Sequence, residues 1–322
     1  MPTEAKMTSV LLARALLIAA LASMALQTAG GQGDSKATAS AKTMAARPGN
    51  AASAAAPDTP DVAKTLKAAA EAVGLARWSG VGGERLPEVD VVNTMEMWGS
   101  GTAYGTGQPY KSGEPWPAFK TEYHAAIGYN PPAMRVEMTR TPAQGGGTPQ
   151  HTIQVVREKF AWDESEIGGG LIPGKGSATP ALGAANNRLL QLWILPYGVI
   201  KSAIAAGEKT RVSTENGTTV ITFPLVGQLA GLMVKATLDA QNEIAKVETR
   251  TDSPALADLL TETVYSDYAD HGEIATDVRS PGHIVRKQGG HPLLDIQVKM
   301  LDANNPYLVF PVPENVKKAA SN

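Results

Sequence analysis

The chain has 322 residues, of which 43% are hydrophobic and 19% are charged, and its formal net charge is −2. This length and hydrophobic content suffice for a globular body with one large core or two small ones. The near-neutral charge excludes the basic surface of a protein that binds a nucleic-acid backbone. Cysteine is absent, which excludes a disulfide framework and a lipid-bearing cysteine.

The first thirty residues have the pattern of an export signal. Lys6 and Arg14 precede an apolar run over 15–26, and small residues follow it near Gly30. The run is shorter than the about 20 apolar residues that a membrane span needs. We therefore expect residues 1–30 to be a cleaved signal peptide. The mature protein would then be periplasmic or secreted, with no stable membrane insertion; the alternative is an uncleaved anchor or a buried helix.

Composition also predicts how the rest of the chain is divided. Residues 31–59 are dominated by Ala, Ser, Thr, Gly and Pro, and Met44 is their one large apolar residue. Such a segment buries too little apolar surface to offset the entropy of ordering it. We expect a disordered leader there, a single globular β-rich domain over 60–316 and a disordered tail over 317–322.

The predicted domain begins with a helix and continues with strands. Apolar residues recur at helical spacing after Pro60, which is expected at the first helical position, and Gly74 supplies the stop. Between 88 and 160, alternating apolar and polar residues in "EVDVVNTMEMW", "FKTEYHAAIGY", "AMRVEMTRT" and "HTIQVVREKFAW" predict strands separated by Gly- and Pro-rich turns. The spacing leaves no room for crossover helices, so these strands form an antiparallel meander.

A second helical stretch and further strands complete the pattern. The segment 186–207 is predicted to form two helices, because Pro196 cannot keep its hydrogen bond to the preceding turn. Strands resume with a hairpin at Asn216-Gly217 and continue to Leu301. The fold class is therefore α+β and mainly antiparallel. About ten strands are too many for a flat sheet, so we expect a curled, half-barrel-like sheet packed against about three helices.

Several segments, in chain order, resemble a region of known proteins. They are "GTGQPYKSGEPWP", "NNRLLQLWILPYGVIKSA", "VETRTDSP", "ETVYSDYADHG" and "GGHPLLDIQVKMLDANNP". They are similar to the uncharacterised region that precedes the catalytic domain in some exported metallo-β-lactamase-fold hydrolases, and the similarity covers about 65–315. In that family an His-x-His-x-Asp-His zinc motif follows, and this sequence contains none. The predicted architecture and compartment are more loosely similar to the periplasmic lipoprotein carriers, whose half-barrel encloses acyl chains.

Candidate catalytic groups are sparse in the sequence. The five histidines include no pair at i, i+2 or i, i+4, and the best local cluster is Asp267, Asp270 and His271. Acidic residues in "WDESEIGGG" are a weak option for paired carboxylates, and Ser100 lacks the spacing of a nucleophile elbow. Solvated loops and strand ends are the favoured explanation of these residues. We therefore predict no catalytic residues, no metal site and no cofactor.

Aromatic residues beside loops and in the bent helical segment are the predicted binding residues. The loop over 105–117 is expected to form a lid or rim, and its alternatives are a packing loop that buries Trp116 and a phosphate cradle. Aromatic and amide side chains that line a pocket between sheet and helices would bind a small apolar molecule. The candidate ligand-binding residues are Trp98, Tyr104, Gln108, Trp116, Trp193 and Tyr197.

Two functions from different classes follow from these patterns. The first is an exported, non-catalytic module that binds an apolar small molecule or a partner protein in the concavity of the sheet. The alternative, implied by the family resemblance, is a hydrolase-associated domain or an unrecognised hydrolase acting with a metallo-β-lactamase-fold partner.

Overall fold

The computed structural model describes residues 61–75, 77–78, 85–86, 92–105, 116–143, 146–253, 257–270 and 278–321. The predicted signal peptide and leader lie outside the described residues. Gln108 and His271 lie outside them as well.

The first helix is capped by an aspartate. Helix α1 spans Val62–Ala72, and the Asp61 carboxylate accepts hydrogen bonds from the backbone N–H groups of Ala63 at 2.9 Å and Lys64 at 3.3 Å. The helix therefore begins later than the predicted start at Pro60, because Asp61 satisfies amide groups of the first turn that have no helical partner. Gly74, with φ at 75°, lies just beyond its end as predicted.

Thirteen strands form one sheet, and every neighbouring pair in it is antiparallel. Two short strands, β1 (Arg77–Trp78) and β2 (Arg85–Leu86), pair separately. In chain order the strands of the large sheet are β3 Thr94–Tyr104, β4 Ala118–Tyr129, β5 Pro132–Pro142, β6 Gln150–Arg157, β7 Phe160–Glu164, β8 Ala178–Pro180, β9 Arg211–Glu215, β10 Thr218–Pro224, β11 Met233–Leu238, β12 Ile244–Ser253, β13 Ala257–Ala269, β14 Ser280–Gln288 and β15 His291–Ala303.

The sheet consists of two meanders joined in the middle. Strands β3 to β8 pair in sequence order, strands β9 to β15 do the same, and β3 pairs with β15. Two glycines of β3 allow this joint. A side-chain carbon at Gly101 would lie 2.0 Å from the carbonyl oxygen of Asp295, and one at Gly99 would lie 2.6 Å from that of Gln297. Only glycine fits where two backbones approach this closely.

Helices α2 and α3 lie between the two meanders in the sequence. Helix α2 spans Ala185–Trp193 and α3 spans Pro196–Ala205, with Pro196 in the first turn of α3, which confirms the predicted break. Single turns of 3-10 helix lie at Leu182–Ala184, Gly207–Lys209 and Gly227–Leu229.

The helices pack on one face of the sheet, which we call the inner face. It carries Met97, Ala125 and Ile284, which join one buried cluster with side chains of α1, α2 and α3. The opposite, outer face carries Trp98 and Ser100, because successive side chains of a strand point to opposite sides. A smaller cluster forms on the outer face of β4 to β8.

The sequence predicted about ten strands and three helices, whereas the described residues form thirteen strands in the sheet and four helices. One predicted strand contains a turn at Glu158, with φ at 50°, and so forms both β6 and β7. Strand β8 follows a Gly-rich stretch over 168–176 and is not among the predicted strands. Helix α4, Glu314–Ala319, extends past the predicted start of the tail, because Val316 is fully buried against the smaller cluster.

Candidate functional site

A cavity of about 190 Å³ lies between the inner face and the C-terminal half of α2. Its lining comes from strands of both meanders and from one residue of α2. The lining residues are Ala103, Tyr104, Tyr123, Val136, Met138, Arg140, Gln154, Gln191, Arg286, Leu293 and Leu294.

The strand register brings the wall of the cavity together. Leu294 pairs with both Ala103 and Arg286, so it links β15 to its two neighbours. Tyr123 of β4 pairs directly with Met138 of β5. Residues directly opposite in an antiparallel pair share one face, so these side chains line one continuous surface.

Two arginines give this surface positive charge. The Arg286 Nη1 group donates a hydrogen bond of 3.0 Å to the Gln191 side-chain oxygen, which connects β14 to α2. The Arg140 Nη2 group lies 3.8 Å from the Met138 sulfur, and a thioether sulfur is only a weak hydrogen-bond acceptor. The Nε atoms of both arginines are buried and have no hydrogen-bond partner among the described residues. The lining contains no aspartate or glutamate in the described part of the chain.

Two buried tyrosines, Tyr123 and Tyr265, interact electrostatically with Arg286. Burial raises the pKa of Tyr123, and the positive charge of Arg286 lowers it in part. Burial likewise raises the pKa of Tyr265, with Arg286 acting in the opposite direction. Both hydroxyl groups therefore stay protonated at neutral pH, and Arg286 has no anionic partner from them.

Two of the predicted binding residues lie at or beside the cavity. Tyr104, the last residue of β3, lines it. The Trp116 ring stacks on His291 with a centroid distance of 4.6 Å and an interplanar angle of 12°. His291 begins β15, two residues before the lining residue Leu293. Trp116 therefore lies close to the rim, and ligand contact by these two residues stays a prediction.

Three other predicted residues lie elsewhere. Tyr197 is fully buried and donates a hydrogen bond to the Arg279 carbonyl oxygen. Trp193 packs on Tyr129 with a ring-centroid distance of 6.1 Å. Trp98 is on the outer face, where it stacks on His124 at 4.7 Å. The structure therefore does not bring the predicted aromatic residues together into one pocket.

Arg140 and Arg286 were missed because charged residues in strands usually face solvent. A sequence signal does exist for both. In β5 the buried Met134, Val136 and Met138 alternate, and Arg140 continues that phase. In the same way, Arg286 follows the buried Ile284 by two residues. A charged residue that continues an apolar period-two pattern is expected to lie on the same face of the strand as the buried residues before it.

The acidic residues considered for catalysis form structural contacts. Glu164 is buried and accepts hydrogen bonds of 2.9 Å from the Trp162 indole nitrogen and from the Gly168 backbone. Asp163 pairs with Arg188 at 2.6 Å. Among the described residues, no group of three or more His, Asp or Glu side chains is placed to hold a metal ion.

Comparisons with known protein families, curated proteins and solved structures found no match. The resemblance to the leading region of metallo-β-lactamase-fold hydrolases and the role beside such a hydrolase therefore stay predictions. Within the described ranges, no helix has the length and apolar character that crossing a membrane requires.

Proposed function

We propose that the protein is an exported, non-catalytic module that binds a small, largely apolar molecule at the inner face of a curled, half-barrel-like sheet. The observation that carries this proposal is the cavity of about 190 Å³ between the inner face and α2. Concave sites lined by apolar side chains with a few polar groups are typical of small-molecule binding. Here Val136, Met138 and Leu294 supply apolar surface, and Arg140 and Arg286, together with two glutamines and two tyrosines of the lining, supply the polar groups.

The helix contacts support a curled sheet. Helix α2 packs against β5, β6 and β7, whereas α3, which packs on α2, contacts β10. In the strand order, β5 and β10 are eight steps apart, through β4, β3, β15, β14, β13, β12 and β11. At about 4.8 Å per step, a flat sheet would separate them by about 38 Å.

Two packed helices are too narrow to bridge that distance. Each is about 10 Å wide, so the pair spans about 20 Å. We infer that the sheet curls around the helices until both meanders reach them. The close backbone approach at Gly99 and Gly101 supports a tight bend at the joint between β3 and β15, because glycine in a strand marks such bends in curved sheets.

The cavity volume sets the size of the bound group. An apolar cavity of about 150 Å³ holds a molecule as large as benzene. The cavity of about 190 Å³ therefore accommodates a polar head with a short length of apolar chain. Binding is favoured over catalysis because Glu164 and Asp163 are committed to Trp162 and Arg188.

A cavity-filling substitution tests this function. Leu294→Trp places a larger side chain in the cavity, whereas Gln297→Trp adds the same ring to an exposed outer-face position of the same strand. Isothermal titration calorimetry with octanoate and octanol measures binding. We expect at least one probe to bind the natural protein with a negative heat-capacity change, and Leu294→Trp to weaken its affinity by about tenfold or more.

The control variant Gln297→Trp should bind as the natural protein does. Equal affinity in Leu294→Trp and the natural protein would contradict the proposed site, and so would uptake of neither probe. Circular dichroism and urea unfolding establish that both variants are folded before they are compared.

A further inference from the structure

The charge of the two cavity arginines is unbalanced among the described residues, unlike the charge of Arg135, Arg188 and Arg279. Arg188 and Arg279 have carboxylate partners at 2.6 Å and 3.0 Å. Arg135 has one at 3.6 Å. Arg140 and Arg286 form no such pair within the described ranges, and the cavity lining there contains no acidic residue. Two positive charges therefore face one small cavity without a counter-charge from the residues that the structure describes.

The hydrogen bonding of these two arginines is also incomplete. A guanidinium has five N–H donors and cannot give up its charge in a protein. The buried Nε groups of Arg140 and Arg286 lack an acceptor among the described residues. Gln191, which accepts from Arg286, is neutral, and the Met138 sulfur beside Arg140 is a weak acceptor. Buried donors without partners are costly, so an oxygen-rich anion would stabilise this site.

Apolar side chains lie directly beside the charge. Met138 is two residues before Arg140 on β5, and Leu294 of β15 pairs with Arg286 of the neighbouring strand β14. A bound anion would therefore have methylene or aromatic groups next to it rather than water. A planar carboxylate matches the planar fork of a guanidinium, which binds its two oxygens together.

We propose that the cavity binds an alkyl carboxylate, with its carboxylate between Arg140 and Arg286 and its first methylene groups against Met138 and Leu294. This inference rests on the proposed function, because it names the ligand class of the same cavity. The ligand is a free fatty acid or a similar amphiphile with a carboxylate head. Long-range attraction between this head and the two cations also favours association at low salt.

Matched probes separate the head group from the tail. Octanoate, octanol and octyl phosphate carry the same chain, and calorimetry at about pH 8 keeps the carboxylate ionised, since its pKa in water is near 4. We expect octanoate to bind the natural protein at least about tenfold more tightly than octanol. Equal binding of octanol and octanoate would overturn the anion site and leave the proposed function standing. Binding of neither would overturn both, and tighter binding of octyl phosphate would overturn the carboxylate assignment.

Single substitutions test the two arginines. Arg140→Met and Arg286→Met remove the charge and keep most of the side-chain volume. Each should weaken octanoate binding by about tenfold and leave octanol binding unchanged. Lys120→Met is the control, because Lys120 is an exposed cation on the outer face of β4. Its octanoate affinity should equal that of the natural protein, and a loss in Lys120→Met as large as in Arg286→Met would overturn the assignment.

Lysine variants keep the test decisive if a methionine variant does not fold. Arg140→Lys and Arg286→Lys preserve the charge but lose the planar fork. We expect each to bind octanoate more weakly than the natural protein and still more tightly than it binds octanol. The proposal would be contradicted if both lysine variants bound octanoate as tightly as the natural protein and only Lys120→Met lost the preference for octanoate over octanol.

Discussion

The Tyr265 hydroxyl donates a hydrogen bond of 2.7 Å to the Ile194 carbonyl oxygen and so ties β13 to the junction between α2 and α3. Tyr197 of α3 forms an equivalent link, because its hydroxyl donates to the Arg279 carbonyl oxygen just before β14. Tyr268 donates to the Ile244 carbonyl oxygen at 2.8 Å, which joins β13 to β12 within the second meander. Helices α2 and α3 are therefore held to the second meander by specific polar contacts as well as by apolar packing.

Removing the Tyr265 hydroxyl should destabilise the protein. Tyr265→Phe leaves the buried Ile194 carbonyl without this donor, and we expect the free energy of unfolding to fall by about 1–3 kcal/mol. Urea denaturation measures the change. Tyr307→Phe is the control, because Tyr307 is 88% exposed. Equal stability of Tyr265→Phe and the natural protein would contradict a structural role for the hydrogen bond.

Alkaline pH should destabilise the fold in a defined window. Burial is the first cause that raises the pKa of Tyr123, Tyr129, Tyr197, Tyr265 and Tyr268. In the unfolded chain a tyrosine has a pKa near 10. The stabilising contribution of each group is therefore fully present below about pH 10, where both states are protonated. It is lost as pH rises through the raised native values, by up to about 1.4 kcal/mol per pH unit for each tyrosine.

Two measurements check this dependence. Urea unfolding from about pH 8 to about pH 11 should show a constant free energy at first and a steep fall above about pH 10. Tyrosinate absorbance of the buried group should appear only together with unfolding. In Tyr265→Phe the slope of the unfolding free energy against pH should be smaller by the contribution of one tyrosine, up to about 1.4 kcal/mol per pH unit. Ionisation of all tyrosines near pH 10 in the folded protein would disagree with this account.

The joint between the two meanders should be sensitive to a single methyl group. In Gly101→Ala the new carbon would lie 2.0 Å from the Asp295 carbonyl oxygen, so the backbone of β3 or β15 must move. We expect a loss of about 1–3 kcal/mol or more in unfolding free energy. Ser100→Ala, one residue away on the outer face, should have little effect. Similar stabilities of the two variants would argue against a close approach of β3 and β15.

Arg188 should be needed to hold α2 against β6 and β7. It is buried, and its Nη1 group donates to the carbonyl oxygens of Val155 at 3.0 Å and Trp162 at 2.7 Å. Arg188→Met would leave both carbonyls without this donor and cost about 2–5 kcal/mol, measured by urea unfolding.

Two further variants separate the roles of charge and geometry at this position. Arg188→Lys should recover only part of the loss, because lysine lacks the planar fork. Asp163→Asn should cost less, about 1 kcal/mol, because the Asp163 side chain is half exposed. A larger loss in Asp163→Asn than in Arg188→Met would show that the ion pair dominates.

Local features of the fold could be predicted from the sequence because their causes are local. Asn216 and Gly217 have φ values of 51° and 79°, which is the turn that an Asn-Gly pair favours between two strands. Pro196 starts α3 because it lacks a backbone N–H, which the first turn does not need. Such features depend on one or two residues and their immediate neighbours.

Long-range features could not be predicted in the same way. The pairing of β3 with β15 joins residues about two hundred positions apart, and the two glycines that allow it do not indicate which strand lies beside them. At Asp267, φ is 58°, so the backbone departs from regular strand geometry, although the pairing with β14 keeps the same register on both sides. Strict period two would send Tyr265 and Tyr268 to opposite faces, yet both pack against the inner core. The cavity depends on these pairings, so its arginines were missed and its aromatic residues were only partly predicted.

Photo-crosslinking locates the ligand most directly. An octanoate analogue with a diazirine at the end of its chain is bound to the protein, irradiated, and mapped by mass spectrometry of peptides. We predict adducts on peptides that contain Met138, Leu293 or Leu294, reduced by excess octanoate and by Arg286→Met. Adducts confined to the separate cavity beside Leu308 and Phe310 would contradict binding at the inner face.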